Sequence, residues 1–287
     1  MNNKNVTAVL LLSCPDRKGL VAGVSGFLYE NNGNIIHADQ HTDAEKGIFL
    51  QRVEWEIKDF KIPREKIGNA FQPFAKKFNM KWQLRFSDYV PRMAVFASKE
   101  EHCLYELLLR QRMKEFNVEI PLIISNHPDL QPIAENFGVE FKYYPVSDNT
   151  RASYEKRIIR NLEEHDIELI ALAKYMQVLS GKIISKYPNK IINIHHSFLP
   201  AFAGGRAYHQ AHARGVKIIG ATAHYVTEEL DQGPIIEQDV IKVSHRDSVD
   251  DLFRKGKDME KIVLARAVDL HLRNKILVYD NKTVIFD

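Results

Sequence analysis

From residue 92 onward the chain alternates short apolar segments with longer amphipathic ones, and this alternation restricts the folds open to it. Strands are predicted at 92–98, 119–124, 140–143, 167–172 and 190–194, with helices at 101–114, 128–137 and 151–165. Short strands separated by helices are typical of a parallel, doubly wound sheet. Later segments predict strands at 218–225 and 235–242, a helix at 248–272 and a terminal hairpin at 275–286. We therefore expect a Rossmann-like, mostly parallel α/β domain over 92–287.

The first part of the chain has a different element order. Its periodicities predict strands at 6–13, 34–42, 47–57 and 80–86, and helices at 18–31 and 64–78. The order β-α-β-β-α-β is the ferredoxin-like plan. We expect a small domain over 1–86, joined to the second by a linker at 87–91.

Composition narrows the function classes. A formal charge of +3 on 287 residues gives no support for a nucleic-acid partner. The apolar run at 6–13 is shorter than the roughly 20 residues that span a bilayer, so we expect no membrane association. The two cysteines, Cys14 and Cys103, are too few for a disulfide framework, which fits a reducing cytoplasm. For both cysteines we expect a small buried side chain.

Two motifs place reactive groups beside the ends of predicted strands. The strand at 190–194 leads into Asn193-Ile-His195, and Asp231-Gln-Gly233 follows the strand at 218–225. An amide stabilises a developing oxyanion, imidazole transfers protons near neutral pH, and a carboxylate fixes the imidazole tautomer. Ligands of doubly wound sheets bind beyond the carboxyl ends of the strands, so these groups are expected to face the ligand crevice. They suit attack on an acyl or formyl carbon.

The spacing Asn-x-His-x-Ser-x-Leu-Pro over 193–200, with Asp-x-Gly-Pro-Ile over 231–235, resembles the signature of the tetrahydrofolate-dependent formyltransferases. The doubled His195-His196 and the block Gly-Ala-Thr-Ala-His-Tyr-Val over 220–226 are most similar to the 10-formyltetrahydrofolate deformylases. The resemblance implies hydrolysis of 10-formyltetrahydrofolate to formate and tetrahydrofolate, with folate as substrate and neither a permanently bound cofactor nor a metal. It also implies a role in balancing the one-carbon pool and supplying formate for purine synthesis.

The resemblance implies roles for single residues. Asp231 and His195 together would position and deprotonate a water, and which of the two is the immediate base stays open. Asn193 would stabilise the oxyanion. Substrate contacts are expected from Met176, Leu179, His196, Ser197 and Gly233. Periodicity alone assigns Met176 and Leu179 to the core.

Two features depart from the relatives. Amine-transferring relatives usually have proline where this chain has His196. The second imidazole would either orient the water, repel a competing amine, or serve only as a packing residue. Relatives also commonly have Ala and Pro where this chain has Gly205 and Ala207, which leaves the loop more freedom.

Residues 1–86 resemble an ACT domain through the turn Pro15-Asp-Arg-Lys-Gly-Leu-Val-Ala22. ACT domains commonly bind an amino acid at a domain interface and regulate an attached enzyme. Carried over to this chain, the effector residues would be Asp16, Gly19, Asn32 and Asn34. The alternative is a domain that only mediates oligomerisation, with Asp16 capping the helix. Either role predicts a homo-oligomer.

Two other functions stay open. A transferase acting on a phosphorylated amine needs a glycine-rich phosphate cradle, but the loop over 97–104 has no glycine and two carboxylates. In that loop Ser98 and Glu101 predict a capping box. Two alternatives to hydrolysis therefore remain. The chain could transfer the formyl group to another small amine, or it could be a catalytically inactive sensor of folate or an amino acid.

Overall fold

The chain forms two compact units in a computed structural model that describes residues 6–145, 151–200 and 207–286, without the side chains of 151–153 and 207. The first unit comprises Met1–Tyr89, Arg273–Tyr279 and Thr283–Asp287, and the second comprises Val90–Leu272 and Asp280–Lys282. No described helix is long and apolar enough to cross a bilayer.

The first unit has the predicted element order. Its elements are β1 (Thr7–Pro15), α1 (Leu20–Glu30), β2 (Asn34–Asp43), β3 (Ile48–Glu56), α2 (Ile67–Lys77) and β4 (Lys81–Phe86). The strands form an antiparallel sheet in the order β2-β3-β1-β4, which confirms the ferredoxin-like fold. Leu20, Val24 and Leu28 recur at helical spacing on α1 and are buried with Trp55 and Phe71. This spacing is the apolar pattern that predicted the helix.

The second unit is built on a seven-stranded, mostly parallel sheet. Its elements are β5 (Arg92–Ala97), α3 (His102–Arg112), β6 (Glu119–Ser125), α4 (Gln131–Phe137), β7 (Glu140–Tyr143), α5 (Arg151–Glu164), β8 (Leu169–Ala173), α6 (Gly181–Lys186), β9 (Ile191–His195), α7 (Ala207–Arg214), β10 (Ile218–Tyr225), β11 (Ile235–Lys242) and α8 (Val249–Leu272). The strand order is β11-β10-β9-β8-β5-β6-β7, and strands β5 to β9 pair in parallel. The chain winds outward from β5 in both directions, so the switch point lies between β5 and β8. The doubly wound prediction is confirmed.

The terminal hairpin, β12 (Ile276–Tyr279) and β13 (Lys282–Ile285), differs from the predicted boundary of 92–287. Leu277 and Phe286 are buried against Val9, Leu11 and Leu50, on the sheet face opposite the helices of the first unit. Alternate residues of a strand point to opposite faces, so the apolar Val9 and Leu11 leave a second face to be covered. Most of the hairpin therefore belongs to the first unit.

Two predicted helix caps were wrong. The Ser98 hydroxyl does not cap α3, which begins at His102; it donates to Asn126 Oδ1 at 2.6 Å and accepts from the Met176 N–H at 3.0 Å. Ser98 therefore ties together the loops that follow β5, β6 and β8. Asp16 does not cap α1, whose N-cap is Gly19 in the left-handed region at φ 91°.

Candidate active site

Four polar side chains converge where β9 and β10 run side by side. Asn193 and His195 lie two residues apart on β9 and therefore on one face. His224 on β10 is the register partner of Asn193. His195 Nδ1 lies 3.3 Å from Asp231 Oδ2, and His224 Nε2 lies 3.6 Å from Asp231 Oδ1 and 3.2 Å from Asn193 Nδ2. The predicted catalytic residues Asn193, His195 and Asp231 thus form one cluster, and His224 joins them.

The backbone around Asp231 is specialised to deliver its carboxylate. Asp231 itself has φ 58°, in the left-handed region that aspartate enters more readily than most L residues. A Cβ on Gly233 would lie 1.7 Å from the Tyr225 carbonyl oxygen, so only glycine lets this loop lie against the end of β10. The β10–β11 register also shifts between Ala223 and His224, and such bulges re-aim side chains.

Hydrogen bonds fix which nitrogens face the cluster. His195 directs Nδ1 to Asp231, while its Nε2 has no hydrogen-bond partner within the described residues. The Tyr225 carbonyl oxygen only accepts, so the His224 Nδ1 at 2.9 Å carries a proton. Nε2 of His224 is therefore the nitrogen that Asn193 and Asp231 share. Hydrogen bonds from His195 and His224 hold the pKa of the Asp231 carboxyl well below its ordinary value and outweigh the opposing effect of burial.

A cavity of about 230 Å³ opens beside this cluster, at the carboxyl ends of β8 and β9. Its wall includes Asn193, His195, His224 and Asp231, and also three of the predicted substrate residues, Met176, Leu179 and His196. Most of its remaining lining is apolar: Leu172, Tyr175, Val178, Ile184, Ile194, Val226 and Leu230. An apolar cavity with a few convergent polar groups is the usual form of a small-molecule site.

The other two predicted substrate residues lie behind the wall. Ser197 is 4% exposed and its carbonyl oxygen accepts from the Thr222 hydroxyl at 2.8 Å. Gly233 packs against Tyr225, as described above. Their direct contact with substrate stays a prediction, as do the roles given to the other site residues. Gly205 lies outside the described residues, and Ala207 begins α7.

A buried carboxylate that sequence reasoning missed lies on the far side of His196. Glu260 on α8 is 1% exposed; its Oε1 accepts from the Tyr208 hydroxyl at 2.7 Å and from Lys174 at 3.3 Å, and its Oε2 bonds His102 Nε2 at 2.8 Å. Burial raises its pKa, but the His102 hydrogen bond, the Lys174 charge and the Tyr208 hydrogen bond outweigh it and lower the pKa to about 2. The only signal in the sequence was an acidic residue on the buried face of α8, where charge is rare.

Glu260 also belongs to the one group of described residues with metal-like spacing, together with His102 and Cys103. Burial raises the pKa of the Cys103 thiol, which keeps it protonated, and Lys174 already supplies a cation to the carboxylate. No step of the chemistry below uses this group.

His224 is the other functional residue that sequence reasoning missed. It is 2% exposed, and it contacts two of the three predicted catalytic residues. Its position at the end of a strand predicted at 218–225 was the available signal. The pairing with Asn193 was not readable, because it depends on the register of two strands far apart in sequence.

The four predicted effector residues of the first unit occupy opposite ends of α1. Asp16 and Gly19 precede the helix; Asn32 and Asn34 follow it, where they bond the Asp59 carbonyl and the Glu56 carboxylate. Eleven helical residues span about 16 Å, so these four do not form one small-molecule site within a single chain.

Comparison with known proteins assigns both units. The formyl transferase family model matches residues 91–268, and the ACT domain model matches residues 8–71. A formyltetrahydrofolate deformylase of Synechocystis is 55% identical over 283 residues, covering 99% of each chain. The chain belongs to the formyltetrahydrofolate deformylase family.

Other deformylases extend the match in sequence and in structure. The Bacillus subtilis deformylase is 45% identical over 97% of this chain and 93% of its own length. The crystal structure of a deformylase from Pseudomonas syringae superposes with a TM-score of 0.97 at 44% identity, covering 100% of this chain and 96% of the other. These deformylases therefore match both units of this chain, not the formyltransferase-type unit alone.

Proposed function

We propose that this chain hydrolyses 10-formyltetrahydrofolate to formate and tetrahydrofolate, with Asn193, His195 and Asp231 as its catalytic residues. The observation that carries the proposal is the convergence of these three side chains on the wall of one apolar cavity. The names of the relatives supply the substrate, and the geometry supplies a route for the chemistry.

The hydrogen-bond arrangement supports water activation by His195. Asp231 accepts from Nδ1, and the buried Nε2 of the neutral imidazole has no partner among the described residues, so its lone pair can take a proton from a water bound beside it. The water oxygen then forms a bond to the formyl carbon. Asp231 is the alternative immediate base, since its low pKa keeps it ionised at neutral pH. When His195 is the base, the Asp231 carboxylate offsets the positive charge that develops on the imidazole.

Asn193 is suited to stabilise the oxyanion that forms on the formyl oxygen. Its amide nitrogen carries two hydrogens and lies 3.2 Å from His224 Nε2, on the wall of the cavity. A hydrogen is therefore available for the substrate oxygen, and loss of one such donor typically costs about 3 kcal/mol of transition-state stabilisation. Collapse of the tetrahedral intermediate breaks the bond from carbon to N10, and N10 leaves with a proton passed from the imidazolium.

The apolar part of the cavity suits the pterin ring. Leu179 is buried on the wall, while Met176 is 60% exposed at the mouth, where a flexible thioether adapts to a planar ring. We expect backbone groups of this segment to bond the polar ring edge.

His196 favours water over an amine as acceptor. Its ring stacks on His195 with centroids 5.0 Å apart and lies 5.9 Å from the Tyr208 ring. We expect these rings to hinder the approach of an amine on this side of His195. Formyl transfer to a small amine remains the second candidate, and an inactive folate or amino-acid sensor the third.

We also propose that the first unit mediates homo-oligomerisation and binds an amino-acid effector in the assembly. Strand β2 is a ten-residue edge strand that pairs with β3 alone among the described strands, and nearly all of its residues are exposed. Such an edge is a template for pairing with a second copy. Sedimentation velocity of the full chain tests the assembly: a monomer at all concentrations would contradict it.

The decisive experiment measures formate release from 10-formyltetrahydrofolate with no amine present. Asp231→Asn is expected to reduce the rate at least about a thousandfold, as loss of an equivalent group does in other acyl-transfer sites. Asp258→Asn, on the exposed face of α8, is the matched control and should leave the rate unchanged. Folate binding without formate release would indicate a transferase or a sensor, and no folate binding would exclude the substrate.

A further inference from the structure

A second cavity, of about 330 Å³, adjoins the first one at the switch point of the sheet. It is lined by the loops after β5, β6 and β8 and by α8, and it shares Lys174, Met176, Gln177 and His196 with the first cavity. Switch points are where doubly wound sheets bind ligands. The proposed hydrolysis has so far given this second cavity no role.

The two carboxylates on the wall of this cavity already have partners. Glu260 accepts from Tyr208, Lys174 and His102, and Glu100 forms an ion pair with Lys257. An ammonium or another cationic ligand would have to displace one of these partners. Removal of a partner from a buried charge is costly, so the wall is poorly suited to a cation.

Several hydrogen-bond donors on the wall, in contrast, have no acceptor among the described residues. Asn126 is 7% exposed and uses its Oδ1 to accept from Ser98, while its amide nitrogen has no partner among the described residues. Lys99 forms no ion pair within the described part of the chain, and Lys174 directs one of its three N–H groups at Glu260. The Asn126 side chain is nearly buried, and its unpaired amide nitrogen requires an acceptor, from water or from a ligand.

The charges of the wall favour a monoanion. Among the described residues of the wall, three lysines, at positions 99, 174 and 257, face two glutamates, at positions 100 and 260, which leaves one positive charge with histidines neutral. Charge-assisted hydrogen bonds from ammonium and amide donors suit a carboxylate, which has two acceptor oxygens. A phosphate dianion would place a second negative charge close to Glu100 and Glu260.

We propose that the second cavity binds a small carboxylate, and that formate leaving the reaction centre enters it past His196. The identity of the anion rests on the proposed hydrolysis; the presence of a carboxylate site does not. Formate produced in the first cavity lies next to the shared residues Lys174 and His196, so the lysine would draw the product away from the folate.

Direct binding to the full-length protein tests the site without any turnover. Saturation-transfer NMR on the formate proton, with no folate present, should show saturable binding to the wild type. Asn126→Asp keeps the shape of the side chain and adds a negative charge, and we expect it to weaken formate binding at least about tenfold. Asn136→Asp makes the same change on the exposed face of α4, outside the cavity wall, and should leave binding unchanged.

A second variant keeps the test independent of the folding of Asn126→Asp. Lys99→Gln removes an exposed charge and should weaken formate binding about threefold. Inorganic phosphate should bind more weakly than formate to the wild type. Three results would overturn the proposal. They are no formate binding, equal binding in the wild type, Asn126→Asp and Lys99→Gln, and weaker binding of formate than of phosphate. Formate binding in a protein that releases no formate from the folate would refute the hydrolysis and leave the carboxylate site standing.

Discussion

At the scale of single residues, His224 is the side chain whose importance emerges only in three dimensions. It holds the Asn193 amide and the Asp231 carboxylate through one nitrogen, and a strand carbonyl fixes the other. His224→Leu should lower kcat about 10- to 100-fold, since a hydrogen bond to a charged group is worth about 1.5–3 kcal/mol. His224→Gln keeps a polar atom near Nε2 and should restore part of the rate.

If His224 positions the catalytic groups, its loss should change the pKa of Asp231 as well as the rate. A merely structural role predicts no such change. The hydrogen bond from His224 is one of the two main causes of the low pKa of Asp231, so its loss raises that pKa. The pKa of the Asp231 carboxyl, followed by carbon-13 NMR of that side chain, should therefore be higher in His224→Leu than in the wild type. His212→Gln on the exposed surface of α7 serves as control. An unchanged Asp231 pKa, with only the melting temperature lowered, would show that His224 acts through stability alone.

Glu260 gives a prediction about stability rather than rate. Its pKa of about 2 in the folded protein is below the value of about 4.3 in an unfolded chain, so ionised Glu260 stabilises the fold by on the order of 3 kcal/mol at neutral pH. A depressed pKa means that this contribution is complete above about pH 4.3 and is lost as the pH falls towards 2. Glu260→Gln should thus be much less stable than wild type at pH 7, with the difference shrinking below about pH 4.

Urea unfolding followed by far-ultraviolet circular dichroism at several pH values measures this difference. Glu106→Gln is a suitable control, because its carboxylate pairs with Arg110 on the surface of α3 and such pairs contribute about 0.5 kcal/mol. A difference between wild type and Glu260→Gln that is constant from pH 7 to pH 3 would contradict the assignment of a depressed pKa.

At the scale of elements, the position of the loop after β10 depends on the close contact of Gly233 with the Tyr225 carbonyl. Gly233→Ala would drive a methyl group into the Tyr225 carbonyl, so the loop must move and carry Asp231 away from His195. We expect formate release to fall at least about a hundredfold, because displacement of a reacting group by about 1 Å is known to cost that much. Gly26→Ala, in open space on α1, is the matched change and should be neutral or slightly stabilising. Full activity in Gly233→Ala would show that the loop does not position the carboxylate.

The elements themselves were largely predictable from the sequence. Strand β7 was placed to the residue, and β10 and β11 lie where strands were predicted, because apolar segments between clear turn signals leave little choice of boundary. Helix α3 begins at His102, one residue after the predicted start, and α4 begins at Gln131, three residues after it. The short helix α6 was not predicted; its six residues are too few for a helical period to show.

The site was predictable only where it is local. Asn193 and His195 share a face because of the two-residue period of one strand. The contact of Asn193 with His224 depends instead on the antiparallel register of β9 and β10, and that of Glu260 with Lys174 on the docking of α8. Both are long-range relations that a local pattern does not encode. The wrong capping box at Ser98 has the same origin: its hydroxyl satisfies partners from two other loops.

At the scale of the whole molecule, the chain returns to its first unit after completing the second. The terminal hairpin covers a sheet face that would otherwise expose Val9, Leu11 and Leu50. Phe286 is 1% exposed there, and a buried Phe→Ala change typically costs about 3 kcal/mol or more. Phe286→Ala should therefore destabilise the first unit by that amount, although the residue lies more than 200 positions from the strands that it covers.

Tryptophan fluorescence measures this effect selectively, because both tryptophans of the chain, Trp55 and Trp82, lie in the first unit. The urea midpoint of the fluorescence transition should fall in Phe286→Ala and stay unchanged in Tyr29→Ala, whose side chain is 84% exposed in the same unit. An unchanged fluorescence midpoint in Phe286→Ala would show that the first unit folds without the hairpin. A lowered midpoint would mean that the ACT-like unit acquires its full stability only once the last residues of the chain are in place. Its sheet would then depend on the helices near the start of the sequence for one face and on the terminal hairpin for the other.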